Sequence, residues 1–162
     1  MGTDVALLLP VPSPYLPRFR KAPDRTLWAG IASGVLLGLA LVPRSTGLLA
    51  FVALVPLISA LDSAPSVRWA LRSGFACGLV FFLLSCAWVP FAGAQKLGLL
   101  LTYLLATPLL ALPAVGFALA SAWLRRFGRT TFLVAAPALW VVTELARCSS
   151  ELGSQFHLGY AL

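Results

Sequence analysis

From Leu97 to Leu124 the sequence runs without one charged side chain. As a helix, these 28 residues (97 to 124 inclusive) reach roughly 42 Å, more than the roughly 30 Å hydrocarbon core of a bilayer. Four more apolar stretches accompany it: Leu27 to Val42, Gly47 to Leu61, Val67 to Val89, and Thr131 to Ala146. Only 10% of the chain is charged and 60% is apolar, with a mean hydropathy of +0.93. Soluble domains carry about 25% charged residues. The pattern predicts an all-α fold, an integral membrane helical bundle of about five transmembrane helices over residues 27–147.

Punctuation within the runs is proline and glycine. Pro43 stops the first and Pro56 interrupts the second. At 1.5 Å per residue the first reaches only about 24 Å, so these two are strained spans or half-helices sheltered by others. A turn is expected over Asp62 to Pro65. Pro108 and Pro113 predict a kink in the long run, with a tilted span read ahead of a broken, cavity-lining helix. Gly30, Gly34 and Gly38 recur every four residues, and Gly74 and Gly78 repeat the spacing. Such ridges let a second helix backbone come close in lipid, so these five are helix-packing candidates.

Residues 1–26 read as a mobile basic tail, rich in proline and ending in Arg18, Arg20, Lys21 and Arg25. The apolar piece Val5 to Leu9 is too short to span and has no positive segment before it, a poor signal peptide. Lys and Arg set orientation. With the N-terminus in the cytoplasm, the inner segments hold these four plus Arg68, Arg72, Arg125, Arg126 and Arg129. The outer segments hold Arg44, Lys96 and Arg147. That bias predicts a multi-pass protein of a bacterial cytoplasmic (inner) membrane, with residues 148–162 as an outer-face loop. The net charge of +7 is then a matter of topology and lipid head groups, not of nucleic acid, because no basic stripe interleaves with aromatics.

Chemistry is sparse. Cys77, Cys86 and Cys148 show no paired spacing, and His157 is the sole histidine, so no metal site and no cofactor are expected. There is no phosphate-binding loop, no zinc-protease motif and no paired-carboxylate motif. One constellation stands out. Ala136, Trp140 and Glu144 follow at i, i+4, i+8 on one helical face, with Arg147 three residues beyond the acid. An acid in so apolar a run is costly and points to a role. The pair is expected either as an interfacial ion pair or as a polar anchor for the outer loop or a lipid head group. Trp88, Trp140 and Tyr160 read as interface anchors. The substrate- or lipid-facing candidates are Trp88, Trp140, Glu144, Arg147, His157 and Tyr160, with no catalytic residue assigned.

The segment Ala136-Pro137-Ala138-Leu139-Trp140-Val141-Val142-Thr143-Glu144-Leu145-Ala146-Arg147 resembles the fifth transmembrane helix of bacterial apolipoprotein N-acyltransferases. Gly38 to Pro43 and Leu49 to Leu57 are similar to that family's first two helices. Arg72 to Leu79 with Trp88-Val89 looks like its third, and Leu158-Gly159-Tyr160 like the end of its outer loop. The resemblance covers about residues 27–162. It implies transfer of an acyl chain from a membrane phospholipid to the amino group of a diacylglyceryl-modified cysteine in a lipoprotein, through an enzyme thioester. The nucleophile and its helpers belong to a nitrilase-like domain beyond the membrane helices. These residues do not include that domain, so the chain reads as truncated and as inactive by itself. It departs from the family pattern at Cys148, where a glycine is usual, and at Gly153 to His157, where Phe-Pro-Trp is usual. The alternative is a non-catalytic scaffold that binds lipid or docks a partner through its glycine ridges.

Overall fold

A computed structural model describes residues 23–41 and 49–148. The expected stop at Pro43, residues 1–22 of the expected 1–26 tail and residues 149–162 of the expected 148–162 loop lie outside the described residues, whereas residues 23–26 open α1 and Cys148 ends α7, so both helices reach further than expected. Among the described residues seven α-helices follow in order: α1 Pro23–Ala40, α2 Leu49–Ala53, α3 Val55–Ser63, α4 Val67–Ser85, α5 Lys96–Leu110, α6 Leu112–Leu124 and α7 Arg129–Cys148. Short 3₁₀ turns occupy Val89–Phe91 and Arg125–Phe127. Among the described residues there is no strand, so the fold is all-helical.

Among the described residues, two stretches are long and apolar enough to cross a membrane. They are Val67–Phe91, 25 residues of mean hydropathy 2.0, and Lys96–Phe127, 32 residues of mean hydropathy 1.9. Arg25–Ala40 is a shorter apolar helix. The second long stretch is divided at Ala111, between α5 and α6. Pro108 lies inside α5 and Pro113 in the first turn of α6, so two successive turns each lack a backbone donor. Pro56 acts likewise in the first turn of α3, and the chain breaks at Leu54 between α2 and α3.

The glycine ridges are where the helices meet. A side-chain carbon added at Gly34 would lie 2.5 Å from the Cys77 carbonyl oxygen, and one at Gly38 would meet Leu84 at 2.9 Å. Gly30 faces Ser73 just as closely. Residue numbers rise together along both helices, so α1 and α4 pack in parallel. A neighbouring flank of α4 carries Gly74 and Gly78, against Ala118 and Ala114 of α6 and Ala111 just before it, where the numbers run in opposition. Thus α4 is the central helix, held between α1 and an antiparallel α6. Both ridges are filled by the chain's own helices.

Side-chain hydrogen bonds tie the ends together. Ser73 donates from Oγ to the Thr26 carbonyl at 2.8 Å. The Leu57 N–H, in the first turn of α3, donates to Ser33 Oγ of α1 at 2.8 Å. Arg125 donates from Nη1 to the Leu61 and Ala64 carbonyls at 2.8 and 3.0 Å, which closes the C-terminal end of α3. Arg129 adds an ion pair to Asp62 at 2.8 Å. These contacts place the end of α3, the start of α4 and the α6–α7 turn at one pole. Gly128, at φ 110°, makes that turn in a backbone region that suits glycine.

Gly34→Leu is therefore expected to lower stability by about 3 kcal/mol, through overpacking against backbone that cannot yield. Gly98→Leu, at a position with open space, should stay within about 0.5 kcal/mol of the parent. Reversible unfolding in mixed detergent, followed by circular dichroism, measures both. Equal midpoints would rule out the α1–α4 contact described.

Candidate functional site

Helix α7 turns one face inward. Phe132 and Ala136 on that face are fully buried, Trp140 is half-buried, and Glu144 and Arg147 are buried. The periodicity of the sequence and the burial agree along four turns. Trp140 meets Phe117 of α6 edge to face, with ring centroids 5.1 Å apart. Thr143 donates its hydroxyl back to the Leu139 carbonyl at 2.9 Å, so it spends its polarity within the helix.

Glu144 and Arg147 form a salt bridge from Arg147 Nη2 to Glu144 Oε1, with side chains only 11% and 6% exposed. The Arg147 guanidinium also stands 5.5 Å from the centre of the Phe82 ring on α4. The pair is buried between α4 and α7. Beside it is a cavity of about 20 Å³ whose walls include Leu37, Cys77, Phe81, Trp140, Glu144 and Arg147. That is room for about one water molecule, not for a lipid head group. The anchoring alternative therefore acts through α7 itself, not through direct contact in this cavity.

Trp140 thus packs its ring on the bundle and is half-buried. Trp69 is similar: it packs on the core, with Arg72 5.0 Å above its ring. Trp28, Trp88 and Trp123 are more than half exposed, as belt residues are. His157 and Tyr160 lie outside the described residues, as does the side chain of Cys148.

A larger concavity, about 230 Å³, opens where α5 crosses the end of α4. Its lining is Cys86, Val89, Thr102, Tyr103, Ala106, Thr107, Leu109 and Leu110, an almost wholly apolar set. The Tyr103 hydroxyl donates to the Leu83 carbonyl at 2.7 Å, near the end of α4, and so holds α5 in place. Trp88 lies close by in sequence, exposed after α4. The shape suits hydrocarbon. The outer flank of α5 is equally apolar, with Leu97, Leu101, Leu104, Leu105 and Leu109 all exposed.

No reaction centre assembles among the described residues. Cys77 is fully buried and Cys86 nearly so. The groove around Cys86 contains neither base nor acid, and a thiol needs one to become a nucleophile. Cys77 does share the small cavity with Glu144 and Arg147, a neighbourhood invisible in the sequence because 67 residues separate Cys77 from Glu144 (144 − 77). A cavity of one-water size admits no acyl carbonyl. No cluster of metal-ligating side chains occurs among the described residues.

Residues 33–162 match the family described as the apolipoprotein N-acyltransferase N-terminal domain. The chain belongs to that family. Neither the curated proteins nor the solved structures contain a match to it. An N-terminal domain of an N-acyltransferase is a membrane-associated helical region, and the helices here have that character. The match begins at Ser33, the α1 residue that accepts the Leu57 N–H, and runs through the buried ion pair of α7. Phe82, Tyr103 and Arg125 were beyond sequence reasoning. Only the isolation of Tyr103 in a charge-free run hinted at a hydrogen-bonding task.

Removing either partner of the buried pair, by Glu144→Ala or Arg147→Ala, is expected to cost about 3–5 kcal/mol, because the other charge stays buried. The double substitution Glu144→Leu with Arg147→Met should recover most of that loss. A double-mutant cycle on unfolding free energies decides the matter. Additive losses would show that the two side chains do not interact.

Proposed function

We propose that this chain is the membrane domain of an apolipoprotein N-acyltransferase-type protein. In that role it seats the phospholipid donor and the diacylglyceryl-lipoprotein acceptor beside a nitrilase-like domain that carries out the acyl transfer. The match over residues 33–162 is the observation that carries this reading. The apolar groove under α5 supports it, since an acyl chain needs such a surface. The bundle crosses a bacterial cytoplasmic membrane five times, with its N-terminus inside and the residues after α7 outside. That orientation is supported by the gathering of Arg68, Arg125, Arg126 and Arg129 at one pole. Trp88 and the segment holding His157 and Tyr160 lie on the substrate side in this arrangement. Glu144 and Arg147 brace the end of α7 beneath it.

The chain alone is inactive in this reading, because neither Cys77 nor Cys86 can meet an acyl donor as a thiolate. Mixed with phospholipid carrying a labelled acyl chain, it should gain no hydroxylamine-sensitive label. Joined to the catalytic domain of a family member, it should support N-acylation of a diacylglyceryl lipopeptide above the level of that domain alone. A labelled thioester on the isolated chain would overturn the assignment of chemistry elsewhere. No gain in the chimera would favour the scaffold alternative.

Topology is open to a separate check. Alkaline phosphatase fused after Leu162 should be active, and fused after Arg126 inactive. The reverse pattern would invert the orientation.

A further inference from the structure

Gly116 stands in the middle of α6 with open space where a side chain would project. A glycine inside a helix costs about 1 kcal/mol relative to alanine. Gly30, Gly34, Gly74 and Gly78 offset that cost by letting a neighbouring backbone approach. A side-chain carbon added at Gly116 would meet nothing within 4 Å, and among the described helical glycines only Gly98, near the start of α5, shares this.

The open space belongs to a groove of about 430 Å³ on the outer side of α6. Gly116 and Ala120, one turn apart, form its floor. Val67 of α4, Leu119 and Trp123 form its walls, and Arg126 stands at its end. From Gly116 to Arg126 the groove follows roughly 15 Å of helix. Arg126 is exposed, and so is Arg68, the residue after Val67. Neither is paired with an acid among the described residues, and Asp62 at the same pole is engaged by Arg129.

We infer that this groove binds one anionic glycerophospholipid of the bilayer. An acyl chain lies over Gly116 and Ala120, Trp123 lies at the level of the glycerol, and the phosphate and head group meet Arg126 and Arg68. The gradient from apolar floor to cationic end is that of a lipid molecule. A free phosphate would gain nothing from the floor. A partner helix would need a longer run of small residues, and this one is bounded by exposed Leu112 and Trp123. The site lies at the opposite pole from the ion pair and the α5 groove. It rests on the membrane reading of the chain and not on acyl transfer.

The full chain, purified in mild detergent with equimolar phosphatidylglycerol and phosphatidylethanolamine, tests this by native mass spectrometry. The parent should retain the anionic lipid over the zwitterionic one by roughly fivefold for each engaged arginine. Arg126→Gln should bring the ratio towards parity. Gly116→Leu should reduce retention of both lipids at unchanged helix content, because its side chain enters open space. Inorganic phosphate should not compete. Equal retention of the two lipids by the parent would overturn the proposal, as would insensitivity to both substitutions. Competition by phosphate would assign the arginines to a soluble anion instead. A two-chain complex dissolved by Gly116→Leu would assign the groove to a second copy.

Discussion

A backbone amide or carbonyl in hydrocarbon has no water to turn to, and this structure is arranged around that constraint. Among the described helices, proline interrupts the backbone ladder at Pro56, Pro108, Pro113 and Pro137, and each helix end exposes donors or acceptors. Where a hydrogen bond closes such an end, its partner often comes from another helix. Ser33 of α1 receives the first-turn N–H of α3, Arg125 closes the last carbonyls of α3, and Tyr103 of α5 serves a carbonyl near the end of α4. Each contact satisfies a backbone group and locks two helices in register. The short second run can thus be two half-helices only because α1 and the α6–α7 turn lie where they do.

Close backbone approach makes those contacts possible. Residues with larger side chains at Gly30 or Gly34 would hold α1 away from α4, and the Ser73 bond to the Thr26 carbonyl would open. In lipid the helices have no hydrophobic incentive to associate, so dispersion between close surfaces and a few hydrogen bonds must suffice. The buried Glu144–Arg147 pair fits the same economy. Each charge is tolerable because the other is there, with the Phe82 ring across the guanidinium. Such a pair adds little net stability, but it penalises any arrangement of α7 that separates the two charges.

Much of this was legible in advance. The helix boundaries came close, since proline and charge mark them plainly: the expected Thr131–Ala146 run is α7 Arg129–Cys148, and the expected Val67–Val89 run is α4 with its following turns. The long run is divided at Ala111, between the two prolines. The inward face of α7 followed from its four-residue spacing. Depth and partnership were not legible. Trp140 and Trp88 look alike in sequence, yet one packs on Phe117 and the other is exposed. Aromatic residues suit an interface and an interior equally well, and only the neighbouring helix decides between them.

The sequence by itself determined an all-helical, lipid-suited chain of a recognisable family, because hydropathy, proline and glycine act locally and leave their marks in order along the chain. It also determined that Glu144 and Arg147 would meet, since three residues on a helix bring side chains together whatever surrounds them. Tertiary structure alone decided where that pair sits. The parallel packing of α1 on α4 and the antiparallel packing of α6 set Phe82 against Arg147 and Cys77 beside the same cavity. It also left Gly116 facing open space while its sister glycines are filled. Those relations depend on residues far apart in the chain, and no local pattern encodes which helix faces which.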